Sequence, residues 1–129
     1  MVDAMQFDLV SPERRLASLS AREVQIPGSD GDLTAMPGHV PTITTLRPGV
    51  LRVVHASGAE EFVVSGGFAE VTGTSVSVLA EQAVPRAQLS AELHARMVEE
   101  AQAAVTAAQG SSRADELAKT LADVQALRA

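Results

Sequence analysis

Glycine or proline interrupts the first two thirds of this chain at positions 12, 27–28, 31, 37–38, 41, 48–49, 58, 66–67, 73 and 85. No helix of ordinary length survives such spacing, because proline removes a backbone donor and clashes with the preceding turn, and glycine loses the most conformational freedom on ordering. The segments between the breaks are short and apolar residues alternate along them. Gln6–Ser11 alternates with Phe7 and Leu9 facing inward and ends at Pro12. Leu16–Leu19 and Glu23–Ile26 follow, the second stopped by Pro27-Gly28, and Thr42–Leu46 stops at Pro48-Gly49. Val50–Val54 and Glu61–Val64 flank Ser57-Gly58-Ala59 as a hairpin, Gly66-Gly67 turns the chain back into Phe68–Val71, and Gly73-Thr74 leads into Ser75–Leu79. Period-two segments with a turn signal every 8–12 residues predict a β-sandwich. About ten short strands are expected, filling a domain over residues 1–85.

Past Pro85 the chemistry changes. Residues 86–129 hold thirteen alanines in 44 positions and a single glycine, Gly110, whereas residues 1–85 hold nine alanines and nearly all the β-branched residues. Leu93, Met97, Ala101, Val105 and Ala108 form one helical stripe, and Leu117, Leu121, Val124 and Arg128 a second. Gly110 is the natural stop between them, with Ser111-Ser112 placed to cap the second helix and Asp115 and Glu116 in its first turn. Residues 86–129 therefore read as an antiparallel two-helix hairpin, so the fold class is β plus α. Its stripe is narrow. It buries little area at roughly 25 cal/mol per Å², and the hairpin is expected to be the less stable unit, mobile on the sandwich.

Sixteen acidic against ten basic residues give a net charge of −6. That excludes the basic face which phosphate-binding proteins use, so no nucleic acid is expected as partner. There is no cysteine, hence no disulfide and no thiolate metal site. The aromatics are Phe7, Phe62 and Phe68 alone, which leaves no stacking platform for sugars or bases. The chain starts at Met1 with no leader-like segment, and no apolar run approaches membrane-spanning length. A soluble, cytosolic chain is expected.

No enzyme emerges from the motifs. The histidines are His39, His55 and His94. His39 lies near Asp30 and Asp32 without a second His or a thiolate, so a loop-fixing hydrogen bond fits it better than a metal, and no metal or cofactor is expected. His55 ends a strand, and His94 falls on the solvated side of a helix. Glu60-Glu61 and Glu99-Glu100 read as solvated charge. Neither a nucleophile elbow nor a G-x-x-x-x-G-K-[ST] phosphate loop is present.

One stretch carries more. In Asp30-Gly31-Asp32-Leu33-Thr34-Ala35-Met36-Pro37-Gly38-His39-Val40-Pro41, two glycines and two prolines disfavour helix and most regular strand, with turns at Ser29-Asp30-Gly31 and Pro37-Gly38. The run from Gly31 to Pro41 resembles the G-x-L-x-x-x-P-G-H-x-P segment of epsilon subunits of bacterial F-type ATP synthases. Four more segments match that family in order: Phe7–Pro12, Leu46–Gly49, Ser65–Glu70 and Val76–Ala80. The resemblance implies a sandwich on the central stalk, in contact with the gamma subunit and the ring of subunit c. It also implies that the catalytic alpha and beta subunits stand within reach of the hairpin. It places the chain as a non-catalytic, peripheral part of the enzyme on the cytoplasmic face of the inner membrane, without insertion into it. The residues it assigns to ring and gamma contact are Ser29, Asp30, Gly31, Asp32, Pro37, Gly38, His39 and Pro41.

Some members of that family bind ATP through [I/L]-D-x-x-R-A at the start of the first helix. Here the matching place is Leu89-Ser90-Ala91-Glu92-Leu93-His94, with Ser90 for the Asp and Leu93-His94 for the Arg-Ala pair. The guanidinium that reads phosphate is lost. Arg86 and Arg96 remain as weak substitutes at other spacings, so an ATP-sensing switch is the rival reading. Strong inhibition of hydrolysis is not expected either. Residues 112–128 set Arg113, Lys119 and Arg128 against Asp115, Glu116 and Asp123, a neutral arm with little Coulombic gain from leaving its dock.

Overall fold

The computed structural model describes residues 4–129. Met1, the start on which the expectation of no leader rests, lies outside them. Eight strands and two helices follow in order among the described residues: β1 Met5–Val10, β2 Arg15–Ala21, β3 Glu23–Gly28, β4 Gly31–Ala35, β5 Thr42–Thr45, β6 Gly49–His55, β7 Gly58–Val71, β8 Ser75–Pro85, α1 Ala91–Ala107 and α2 Ala114–Ala126. A single 3-10 turn, Arg86–Gln88, joins strands to helices.

The strands form one ladder in the order β2-β1-β8-β7-β6-β3-β4, with β5 added on β7. It folds over on itself into the two layers of a sandwich, and β7 shows how. Its first half pairs with β6 from Gly58 to Val64, and its second half pairs with β5 from Phe68 to Val71. β8 accompanies it from Phe62, opposite Pro85, to Val71, opposite Val76. All contacts are antiparallel except β1 with β8, which is parallel. Phe7, Leu9, Val24, Ile26, Leu51, Val53, Val64, Val71, Val76 and Val78 fill the space between the layers. The inward pair Phe7 and Leu9 is completely buried, as alternation in β1 requires.

Gly66-Gly67 does not reverse the chain. β7 runs through both glycines, with φ at 73° and 94°. A Cβ on Gly67 would run into the Leu79 carbonyl, so these residues bend a continuous strand from one layer to the other. This is one reason eight strands serve where about ten short ones were expected. Pro27-Gly28 ends β3 from within, as its last two residues. The β6 ladder ends at Gln25 while pairing with β4 continues to Gly28 opposite Gly31, so Pro27 is past the point where β6 asks for its missing donor. The stretch 30–41 also holds more regular structure than its glycines and prolines suggest. β4 occupies Gly31–Ala35, with Leu33 opposite Ile26, because a two-residue turn at Ser29-Asp30 brings it directly onto β3.

The helices form the expected antiparallel hairpin, with His94 near the start of α1 against Val124 near the end of α2. Ser90 caps α1, its hydroxyl accepting the Leu93 N–H at 3.1 Å. Gly110, at φ 82°, allows the reversal. Ser111 and Ser112 do not cap α2. Arg113 stands at that position with no side-chain cap, while the Ser111 hydroxyl accepts the Arg113 N–H at 3.2 Å. The helix is also shorter than residues 112–128. Leu89, Met97, Val124 and Leu127 are buried together with Val63 of β7, with Val84 and Leu93 beside them.

Candidate interaction surface

β4 separates the residues that the sequence groups as one contact. Ser29, Asp30, Gly31 and Asp32 form the β3–β4 turn, whereas Pro37, Gly38, His39 and Pro41 follow the other end of the strand. Five extended residues hold these turns about 17 Å apart. Each is fixed by different partners.

At the first end, the Ser29 N–H donates to the Thr45 carbonyl and the Thr45 hydroxyl to the Ser29 hydroxyl, both at 2.8 Å. Asp32 has its own cation, since the Arg47 guanidinium donates to its carboxylate. The Arg47 N–H in turn donates to the Pro27 carbonyl at 3.0 Å. Asp32 is thus an ion-paired edge residue and not a free acidic tip. A cleft of about 690 Å³ runs from Ser29, Thr45 and Arg47 past Phe68 to Arg113 and the α2 residues Lys119 and Asp123.

At the second end, the His39 N–H donates to the Met36 carbonyl at 3.0 Å across Pro37-Gly38. Gly38 sits at φ 87°, which this turn demands of its third residue. The Gly38 N–H donates to the Gly73 carbonyl at 2.8 Å, tying the turn to the β7–β8 connection. His39 fixes the loop as its residue type suggests, with Nδ1 donating to the Val40 carbonyl at 2.6 Å.

The outward side of the layer containing β1, β8, β7 and β5 carries what neither turn predicts. Register places Thr45, Phe68, Leu79 and Val10 in one row, and Ile43, Glu70, Ser77 and Asp8 in the next. Val40 is 74% exposed, Ile43 68%, Met36 52%, Leu79 48% and Phe68 42%. Every large apolar side chain left exposed among the described residues lies on the sandwich, none on the hairpin. Motif reading missed Ile43, Phe68 and Leu79. Their signal was present in the alternation of β5, β7 and β8, where each occupies the outward position that a polar residue usually takes.

The remaining candidates are engaged elsewhere. Arg86 donates from Nη1 to both Glu61 oxygens at 3.3 Å and from Nε to the Arg128 carbonyl at 2.9 Å, which engages two of its three side-chain nitrogens. Glu61 is a half-buried partner of Arg86 and Arg52 instead of solvated charge. His94 is not on a solvated face either; its Nε2 donates to the Val124 carbonyl at 2.7 Å. His55 pairs with Glu60 at 3.3 Å. Arg96 borders a 360 Å³ hollow between β8 and α1, next to Glu81, Gln82 and Met97. Among the described residues no three His, Asp or Glu side chains gather as a metal site would require.

The fold and its exposed sheet face define a class before any particular relative: a β-sandwich with an apolar outer face and an appended helical hairpin. The family model for the beta-sandwich domain of ATP synthase delta/epsilon chains matches residues 4–86. The chain is 60% identical over 127 residues to the ATP synthase epsilon chain of Rhodobacter capsulatus, covering 98% of this chain and 96% of the relative. It is 55% identical over 129 residues to that of Fuscovulum blasticum, covering 100% and 97%. A chain from the Euglena gracilis mitochondrial ATP synthase, in a structure of OSCP, F1 and c-ring, superposes with a TM-score of 0.68. It is 27% identical and covers 81% of this chain and 68% of its own length. The protein belongs to the family of ATP synthase epsilon chains. No helix among the described residues is long and apolar enough to cross a membrane.

Proposed function

We propose that this chain is a non-catalytic rotor subunit of the central stalk, seated on the gamma subunit and the c-ring at the cytoplasmic face of the membrane. There it couples proton-driven rotation of the ring to ATP synthesis on the alpha and beta subunits. Family membership supports the stalk position. The observation that carries the contact reading is that the five large apolar side chains exposed among the described residues all lie on the sandwich, since exposed apolar groups that cluster on one face favour a protein partner. Met36, Val40 and Ile43 continue the turn Pro37-Gly38-His39 and Pro41, and Phe68 and Leu79 extend that surface across β7 and β8. Ser29, Asp30, Gly31 and Asp32 offer the ring a polar edge at the far end of β4. In this reading residues 1–85 are the docking domain and residues 86–129 a separable appendage.

Two experiments test this. A tagged chain ending at Val84 should fold and still capture gamma from a membrane extract; an insoluble fragment, or loss of gamma, overturns the reading. The complex rebuilt with full-length or truncated chain should hydrolyse ATP at rates within about twofold, because residues 112–128 balance their charges and gain little by reaching toward other subunits. A several-fold rise on truncation would show that the hairpin is a strong brake. The ATP-sensing reading predicts heat on titration with Mg-ATP. With Leu93 in place of the phosphate-reading arginine and Arg86 already paired, we expect a silent titration.

A further inference from the structure

With no cysteine in the chain, its sulfur chemistry belongs to methionine. The described residues include Met5, Met36 and Met97, and their surroundings are opposite. Met5 of β1 is buried inside the sandwich, and Met97 of α1 is buried with Val63, Leu89, Val124 and Leu127. Met36 is half exposed. Its exposure follows from where β4 ends. Ala35, the last residue of that strand, is completely buried, and alternation turns the next side chain outward. The turn then holds it there. The Met36 carbonyl accepts the His39 N–H at 3.0 Å, and the Gly38 N–H donates to the Gly73 carbonyl at 2.8 Å. The Met36 thioether thus meets water in the folded state, whereas an oxidant reaches Met5 or Met97 only when the fold opens. Met36 also differs from Val40, Ile43, Phe68 and Leu79, the other large apolar side chains exposed among the described residues. A mild oxidant makes a thioether polar and leaves hydrocarbon and phenyl groups unchanged.

We infer that Met36 is an oxidation site that controls docking: a peroxide converts its thioether to the sulfoxide, and the sulfoxide keeps the sandwich off its partner. A sulfur lone pair takes one oxygen atom from the peroxide and the O–O bond breaks. Sulfur is oxidised, the peroxide is reduced, and hydrogen peroxide leaves as water. The side chain keeps its length but gains a strong acceptor beside Val40 and Ile43, which offer it no side-chain donor, so covering that face becomes costly. Because the docked face is closed to solvent, the reaction acts on the chain before assembly, and sulfoxide reductases reverse it. The site rests on exposure alone, while its effect on docking rests on the contact surface proposed above.

The test treats the folded full chain with limiting hydrogen peroxide and maps the products by peptide mass. Met36 should gain oxygen at least about tenfold faster than Met5 and Met97; equal rates at all three would overturn the site. The chain oxidised at Met36 should keep its thermal midpoint, as surface changes do. It should bind ring-containing membranes, stripped of their own copy of the chain, at least about tenfold more weakly than the untreated chain. Methionine sulfoxide reductase should restore that binding. Met36→Leu should bind equally before and after peroxide, and a loss there would overturn the switch by moving it to another residue. Full binding by the oxidised chain would also overturn it, and untreated Ile43→Asp then shows what failed. Weak binding by Ile43→Asp would leave the contact surface standing and remove Met36 alone, whereas normal binding would remove the surface itself.

Discussion

The sandwich and the hairpin bury apolar surface by different routes. Phe7, Leu9, Val24, Ile26, Leu51, Val53, Val64, Val76 and their neighbours close a core to which the helices contribute nothing. The helices have no such core of their own. Their buried residues Leu89, Met97, Val124 and Leu127 gather around Val63, a residue that belongs to β7. The sandwich is thus a unit whose layers satisfy each other, and the hairpin is conditional on a surface the sandwich supplies. Polar contacts repeat the difference. Backbone ladders hold the strands, whereas the hairpin is held by side chains reaching across: Arg86 to Glu61, Gln82 to Glu100, His94 to Val124. Contacts of that kind open at lower free energy than ladders do.

The largest test of this contrast is Phe7→Ala. Truncating a fully buried aromatic typically costs about 3–5 kcal/mol, and since the hairpin depends on the sandwich, both should melt together in denaturant followed by circular dichroism. Helical signal surviving loss of the strands would break the comparison. Gly67→Ala should come next, about 2–3 kcal/mol, because a positive φ is strained for any residue with a Cβ and the new methyl meets the Leu79 carbonyl. Its midpoint should fall in thermal unfolding, and Gly58→Ala, where a Cβ finds open space, should fall less. Met97→Ala sharpens the contrast from the other side. A loss of about 2 kcal/mol at the lower end for buried methionine should appear in exchange of the helices, with β1 and β6 amides unchanged. Asp32→Arg should have the smallest effect on folding. It breaks an exposed ion pair with Arg47 and sets two cations side by side, a change within about 1 kcal/mol. Its docking to ring-containing membranes should nevertheless weaken; normal binding there would remove Asp32 from the contact.

Much of this was legible in the residues. Alternation put Phe7 and Leu9 inward, the alanine-rich stripe ending at Gly110 gave the hairpin, and five ordered motifs gave the family. Other features lay beyond local reading. Pro27, Gly66 and Gly67 carry turn chemistry, yet each lies inside a strand, because which side of a strand needs a donor depends on where its neighbours stop. Phe62-Val63-Val64 holds three buried residues in succession. The run is a sign of a strand covered on both faces, but it does not say that α1 and α2 provide the second cover.

The sequence by itself determined the period of each segment, the change from strands to helices past Pro85 and the chemistry at the turns, since these follow from one residue and its nearest neighbours along the chain. Only the tertiary structure decided that Ser29–Asp32 and Pro37–Pro41 stand at opposite ends of β4. It also decided that Asp32 is spoken for by Arg47 and that His94 and Arg86 hold the far end of α2. Those pairings join residues 15, 30 and 42 positions apart. Their partners are chosen by how strands and helices come together in space, which no local pattern encodes.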